Sequence, residues 1–321
     1  MRYLHLIPEI ISRASCKTLK NHCNSIVNTF QIRPHWQSRR MPQNIQWGYN
    51  EANGPDKWSK FYPEISLNTC QSPIDISTPI KDDCCGNLKL HYKQDCCQTI
   101  TNNGHSLQIS GIPQDSYISG GPLGDSMYRF AQFHIHWGED DSCGSEHTIN
   151  GKSYAGEIHI VNWNSTKFMD ISSAQADMKF SGLCVLGILL EVDEKCASRK
   201  FDELVSNSER VMFPNSKALL RNSINIKHLL PEKTNEYFYY KGSLTTPPCT
   251  ECVKWIVFAH PLKVSSTALA SLRKLQSGDG SGALLHNVRP VQCRNNREVC
   301  RHVDTSKTNS SSSSSSDDSS E

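Results

Sequence analysis

The stretch Gln132-Phe133-His134-Ile135-His136-Trp137, with Glu157-Ile158-His159-Ile160-Val161 downstream of it, decides how this chain is read. Apolar and polar residues alternate in both, the period-two pattern of a strand. Residues two apart on a strand project from one face, so His134 and His136 aim at a common point, and His159 stands on the polar stripe of its own strand. Three neutral imidazoles from neighbouring strands fill three corners of a zinc tetrahedron and leave the fourth for water, which is the catalytic rather than the structural arrangement. Taken alone, a His-x-His pair is a weak metal signal, and a lone histidine such as His159 is commonly a satisfied core residue.

Outward from these strands, short β-rich runs alternate with Gly, Pro, Asn and Asp from Trp47 to about Arg297, the pattern of one large, mainly β (α+β) domain. Strands are expected at 106–109, 128–137, 155–163, 182–192 and 253–259. Short helices are expected at 201–207 and at 266–275, the latter with Leu269, Leu272 and Leu275 on one face behind a serine cap. Three regions follow: a polar extension over 1–45, the domain over 46–300, and a Ser/Asp-rich tail over 301–321. The tail's low-complexity run cannot bury enough apolar surface to offset its ordering entropy, so disorder is expected there.

A formal net charge of +2 gives no basic field for nucleic acid, and no run reaches the 18 or so apolar residues of a membrane span. Fourteen cysteines, with adjacent pairs at Cys84–Cys85 and Cys96–Cys97, suit an oxidising compartment, whereas Pro8 and Glu9 interrupt any export leader. The expected location is extracellular. Asn164-Ser165-Thr166 and Asn309-Ser310-Ser311 are glycosylation sequons.

His-x-His strands also open cupin and amidohydrolase metal sites. A cupin needs a Glu a few residues past the pair followed by Gly, and Glu139 has the wrong offset; an amidohydrolase needs repeated strand–helix units, which are missing. A series of further blocks runs through Asn53-Gly54-Pro55, Gln71-Ser72-Pro73-Ile74-Asp75-Ile76, Asn102-Asn103-Gly104-His105 and Gly120-Gly121-Pro122-Leu123. It continues through Gln132 to Gly138, Gly144-Ser145-Glu146-His147-Thr148, Glu157 to Asn164 and Ser243-Leu244-Thr245-Thr246-Pro247-Pro248. In these blocks, and in their order, the chain resembles the α-class carbonic anhydrases over about 250 residues.

That resemblance implies a single domain built on a large, twisted, mostly antiparallel sheet with short peripheral helices. It implies hydration of carbon dioxide to bicarbonate and a proton by zinc-bound hydroxide, inhibited by sulfonamides. His134, His136 and His159 match the zinc ligands, and Gln132 and Glu157 match the residues that orient them. Thr245 matches the gatekeeper that hands a hydrogen bond to Glu146, and His105 the proton shuttle, with Tyr49, Asn103 and Gln108 ordering its water chain. Val161, Val185, Leu244, Thr245, Thr246 and Trp255 match the substrate pocket. Asn162 and Val288 depart from the best-known cytosolic members without touching the metal core. Secreted members carry a disulfide near the positions of Cys70 and Cys249, although Cys70 lies nearer to Gln71 than the usual partner does, and the same bond is expected here.

The tail admits a sharper reading: Asp317, Asp318, Glu321 and phosphorylated serines would bind calcium or a carbonate mineral face, placing bicarbonate supply beside mineral growth. The competing readings are an extracellular matrix or mineral-binding protein with a carbonic anhydrase-like domain, and a related binding module that has lost its zinc. Such modules typically lack a ligand histidine, and all three are present.

Overall fold

The structure, a computed structural model, describes residues 47–82, 85–111 and 115–304. The first strands are Asp75–Ile76 (β1), Ile80–Lys81 (β2), Leu88–His91 (β3), Cys97–Asn102 (β4), Leu107–Ser110 (β5), Tyr117–Gly120 (β6) and Tyr128–Trp137 (β7). Then come Thr148–Ile149 (β8), Gly156–Asn164 (β9), Leu183–Val192 (β10), Lys217–Ile224 (β11), Glu236–Gly242 (β12), Val253–Phe258 (β13), Leu262–Val264 (β14) and Cys300–Val303 (β15). The α-helices are Trp58–Phe61 (α1), Ile171–Gln175 (α2), Arg199–Ser206 (α3) and Ser266–Leu272 (α4). One large sheet runs β11-β4-β5-β7-β9-β10-β13-β12-β15-β2. Most of its ladders are antiparallel; β10 pairs β13 and β14 in parallel, and β15 pairs β2 in parallel. The expected mainly β architecture is what the chain adopts.

At the centre, β10 reads LCVLGILLEV and is buried at every position from Leu183 to Leu190, as a strand covered on both faces must be. Cys184, Leu186, Ile188 and Leu190 join one core, while Leu183, Val185 and Leu189 join the other. Strand β7 divides its faces through a β-bulge, since its register against β9 shifts between Phe130 and Gln132. An extra residue inverts the alternation. Tyr128 and Phe130 before the bulge therefore enter the same core as Phe133, Ile135 and Trp137 after it, and Gln132, His134 and His136 are left together on the opposite face.

At the periphery, Ser198 caps α3 through the Phe201 N–H and Ser265 caps α4 through the Ala268 N–H, each satisfying an otherwise orphaned donor. No helix among the described residues is long and apolar enough to cross a membrane. Strand β15 carries the folded chain through Val303, and Asp304 N–H still donates to Asn235 O at 2.8 Å, past the expected start of the tail. The extension over 1–45, the rest of the tail and Asn309 lie outside the described residues.

Two expectations are corrected. Cys70 and Cys249 are free thiols, not a disulfide. Gln71, one residue further on, takes the place facing Cys249 and donates from Nε2 to its carbonyl at 3.1 Å, while the Cys70 N–H is held by Glu251. The sequon at Asn164 is folded inward: the side chain is buried, its Nδ2 donates to Ser181 O at 3.0 Å, and its Oδ1 accepts from the N–H groups of Thr166 and Lys167. A glycan has no room on that amide.

Candidate metal centre

Antiparallel pairing sets His134 directly opposite His159, and the strand period adds His136 to the same face. The ring centroids lie 5.0 Å (His134 and His136), 5.3 Å (His134 and His159) and 4.5 Å (His136 and His159) apart. One nitrogen from each ring falls within 4.8 Å of the others.

The acceptors around the rings fix their tautomers, because a carbonyl or carboxylate can only receive a hydrogen. His134 donates from Nδ1 to Gln132 Oε1 at 3.0 Å, and His136 donates from Nδ1 to Asn287 O at 2.7 Å. His159 donates from Nε2 to Glu157 Oε1 at 2.9 Å. The free lone pairs are consequently Nε2, Nε2 and Nδ1. His136 Nε2 is buried without a hydrogen-bond partner, which is costly unless something electrophilic meets it.

Burial keeps all three rings neutral, as ligands must be. It holds His134 well below the ordinary histidine range, with His136 and His159 adding to the effect; it takes His136 down to about 4 and lowers His159 despite Glu157 beside it. Three imidazole donors, no thiolate and one orphaned nitrogen fit zinc in an open site.

Glu157 is a fully satisfied carboxylate. Its Oε2 accepts the N–H groups of Glu146 and His147 at 3.0 and 2.8 Å, and its Oε1 also accepts from His147 Nδ1 at 2.7 Å. Burial pushes it up, but His147 and His159 outweigh that and hold it well below the usual carboxylate range. His147, Glu157 and His159 also cluster closely enough for a metal, yet both rings spend a hydrogen on the carboxylate, so the cluster is closed by hydrogen bonds. Beyond it, Tyr240 Oη lies 2.7 Å from His147 Nε2 and 2.8 Å from Ser72 Oγ.

Glu146 is buried and pushed up to about 7 by that burial, against the opposing pull of His159, the Thr245 hydroxyl and the Arg289 N–H at 2.9 Å. Val161, Val185 and Trp255 belong to the second core, with Leu244 packed against it, so they form one apolar cluster. Thr246 is half-buried, and its carbonyl accepts the Cys249 N–H at 2.8 Å.

His105 stacks on Trp47 at 3.7 Å with the rings nearly parallel, and burial lowers its pKa against Asp279. Asn103 Oδ1 accepts the His105 N–H at 3.0 Å, and its Nδ2 donates to Gln108 Oε1 at 3.4 Å. Tyr49 is buried, its hydroxyl without a partner and its pKa raised well above 10 by burial and by Glu146. The sequence reading assigned no role to His147, Tyr240, Asn287 or Arg289. A histidine directly after the buried Glu146 was the available signal for the first; the others are joined to the site only by long-range folding.

A family model for eukaryotic-type carbonic anhydrases matches residues 53–303. The chain is also similar to carbonic anhydrase 1 of Mus musculus, 38% identical over 263 residues that span 80% of this chain and 98% of the mouse protein. The matched span holds the whole trio of histidines together with every group that fixes their tautomers, and the chain belongs to the eukaryotic-type carbonic anhydrase family.

Proposed function

We propose that this protein is a carbonate dehydratase, interconverting carbon dioxide and bicarbonate with zinc held by His134, His136 and His159. The observation that carries the reading is the convergence of three neutral imidazoles, each anchored through its other nitrogen, around the partnerless Nε2 of His136. Zinc in such a site supplies Lewis acidity, bringing the pKa of water to about 7, a value known from this enzyme class itself.

The chain's own residues do the rest. Gln132, Asn287 and Glu157 hold the rings in the tautomers that face the metal. Thr245, its hydroxyl directed to the buried Glu146, keeps a lone pair for a donor in the pocket and so orients the nucleophile. Val161, Val185, Leu244 and Trp255 offer carbon dioxide an apolar wall. His105, half-buried, takes the released proton, and Asn103 and Gln108 fix its loop.

Stopped-flow hydration by the zinc-loaded protein should be fast and sulfonamide-sensitive, and His136→Ala should lose both zinc and activity. Full activity in a zinc-free His136→Ala preparation contradicts the reading.

Two finer points belong to the same proposal. The cysteine content supports export, and Asp317, Asp318 and Glu321 in the serine-rich tail support bicarbonate supply beside a calcium carbonate surface. Phosphorylated full-length protein should adsorb to calcite more strongly than protein lacking 305–321, and equal adsorption sinks the mineral role.

A further inference from the structure

Beside β12 and β13 the structure contains a cavity of about 560 Å³ that includes none of the residues assigned to hydration. That volume lies within the range of small-molecule sites, roughly 300–1,000 Å³. Its walls combine the rings of Phe180, Tyr239 and Tyr240 with the cations Lys241, Lys254 and Arg297; Glu298 is the one carboxylate in the lining. We propose that it is a second ligand site, specific for a small aromatic monocarboxylate, and that its occupant touches the outer end of the hydrogen-bond chain leading to His159.

The cations keep N–H donors in reserve. Lys254 is half-buried and donates one N–H to Pro122 O at 2.7 Å, with no carboxylate paired to it among the described residues. An ammonium has three donors, and a partly desolvated cation beside a second lysine lacks a counter-charge. Arg297 spends Nε, Nη1 and Nη2 hydrogens on the carbonyls of Arg294, Lys241 and Cys293, which leaves one N–H on each terminal nitrogen. Those suit a carboxylate better than a carbonyl. Glu298 disfavours a dianion such as phosphate, so the ligand carries a single charge.

The aromatic walls select the body of the ligand. Phe180 has φ 56, a left-handed conformation that is strained for a bulky residue and that clusters at ligand sites. Here the strained residue forms a wall of the cavity. Tyr240 carries Arg297 over its ring with Cζ 5.5 Å from the centroid, so a carboxylate held by Arg297 lies beside Tyr240.

Tyr240 also supplies the coupling. From its hydroxyl the chain runs 2.7 Å to His147, 2.7 Å to Glu157 and 2.9 Å to His159. A ligand that shifts Tyr240 shifts the carboxylate that fixes the tautomer of a metal-binding ring.

The test uses 4-fluorobenzoate as the probe on full-length, zinc-loaded protein whose metal site is saturated with a sulfonamide, followed by fluorine NMR. Binding should persist with sulfonamide bound, weaken at least about tenfold in Lys254→Met and in Arg297→Met, and slow alkylation of Cys70 and Cys300, which line the cavity. Loss of the signal once sulfonamide binds would place the probe on the metal, and the proposal fails. It fails equally if neither variant changes the affinity or if no binding occurs at about 10 mM probe. Thiol protection in the unaltered protein decides the matter even if a variant does not fold. A protein that binds no sulfonamide would count against the hydration reading and leaves the probe measurement itself intact.

Discussion

His136 concentrates the physics of the site in one side chain. Its Nδ1 is committed to Asn287 O, its Nε2 is buried without a partner, and burial has taken its pKa to about 4. His134 and His159 are likewise lowered by burial. A histidine whose folded pKa lies below the ordinary 6.5 binds fewer protons folded than unfolded, so its contribution is present above about pH 6.5 and lost as pH falls toward the folded value. Glu146, raised to about 7, acts in the opposite sense and costs stability as pH rises from 4.5. Three depressed imidazoles outweigh one raised carboxylate. Metal-free protein should therefore be less stable at pH 5 than at pH 7, with His136 alone worth on the order of 3 kcal/mol by pH 4. Urea unfolding of chelator-treated protein checks the sign, and equal or greater stability at pH 5 contradicts it.

At the scale of the element, the site depends on two local departures from regular strand. The bulge between Phe130 and Gln132 turns the histidine face of β7 away from the first core, and Gly187 on β10, paired with His159, leaves room for Glu157. A Cβ at Gly187 would sit 2.9 Å from Glu157 Oε1 and 3.2 Å from Val257 Cγ2. The carboxylate cannot swing aside without breaking its bonds to His147 and His159. Gly187→Ala should lower zinc affinity by about 10- to 100-fold, the usual cost of disturbing a residue that orients a ligand. Competition with a chromophoric chelator measures this, and unchanged affinity would mean that Glu157 does not hold His159.

For the molecule as a whole, the alternation in 132–137 and 157–161 already placed the three histidines, because period two is a local property of the chain. The bulge was written there too, in apolar residues that step from Tyr128 and Phe130 to Phe133, Ile135 and Trp137 with a change of parity. What sequence spacing cannot carry is closure over distance. Tyr240 meets His147 across 93 positions and Asn287 meets His136 across 151, and only the packed sheet brings them together. The Cys70 and Cys249 expectation failed for the related reason that a one-residue offset hands the contact to Gln71. The membership of the family and the geometry of the rings meet at one proposal, that three imidazoles from β7 and β9 would hold a zinc ion. Zinc X-ray absorption of the purified protein tests this most directly. Three nitrogen neighbours and one light solvent atom at about 2.0–2.1 Å are predicted, whereas sulfur at about 2.3 Å, or no stoichiometric zinc under saturating metal, contradicts the account.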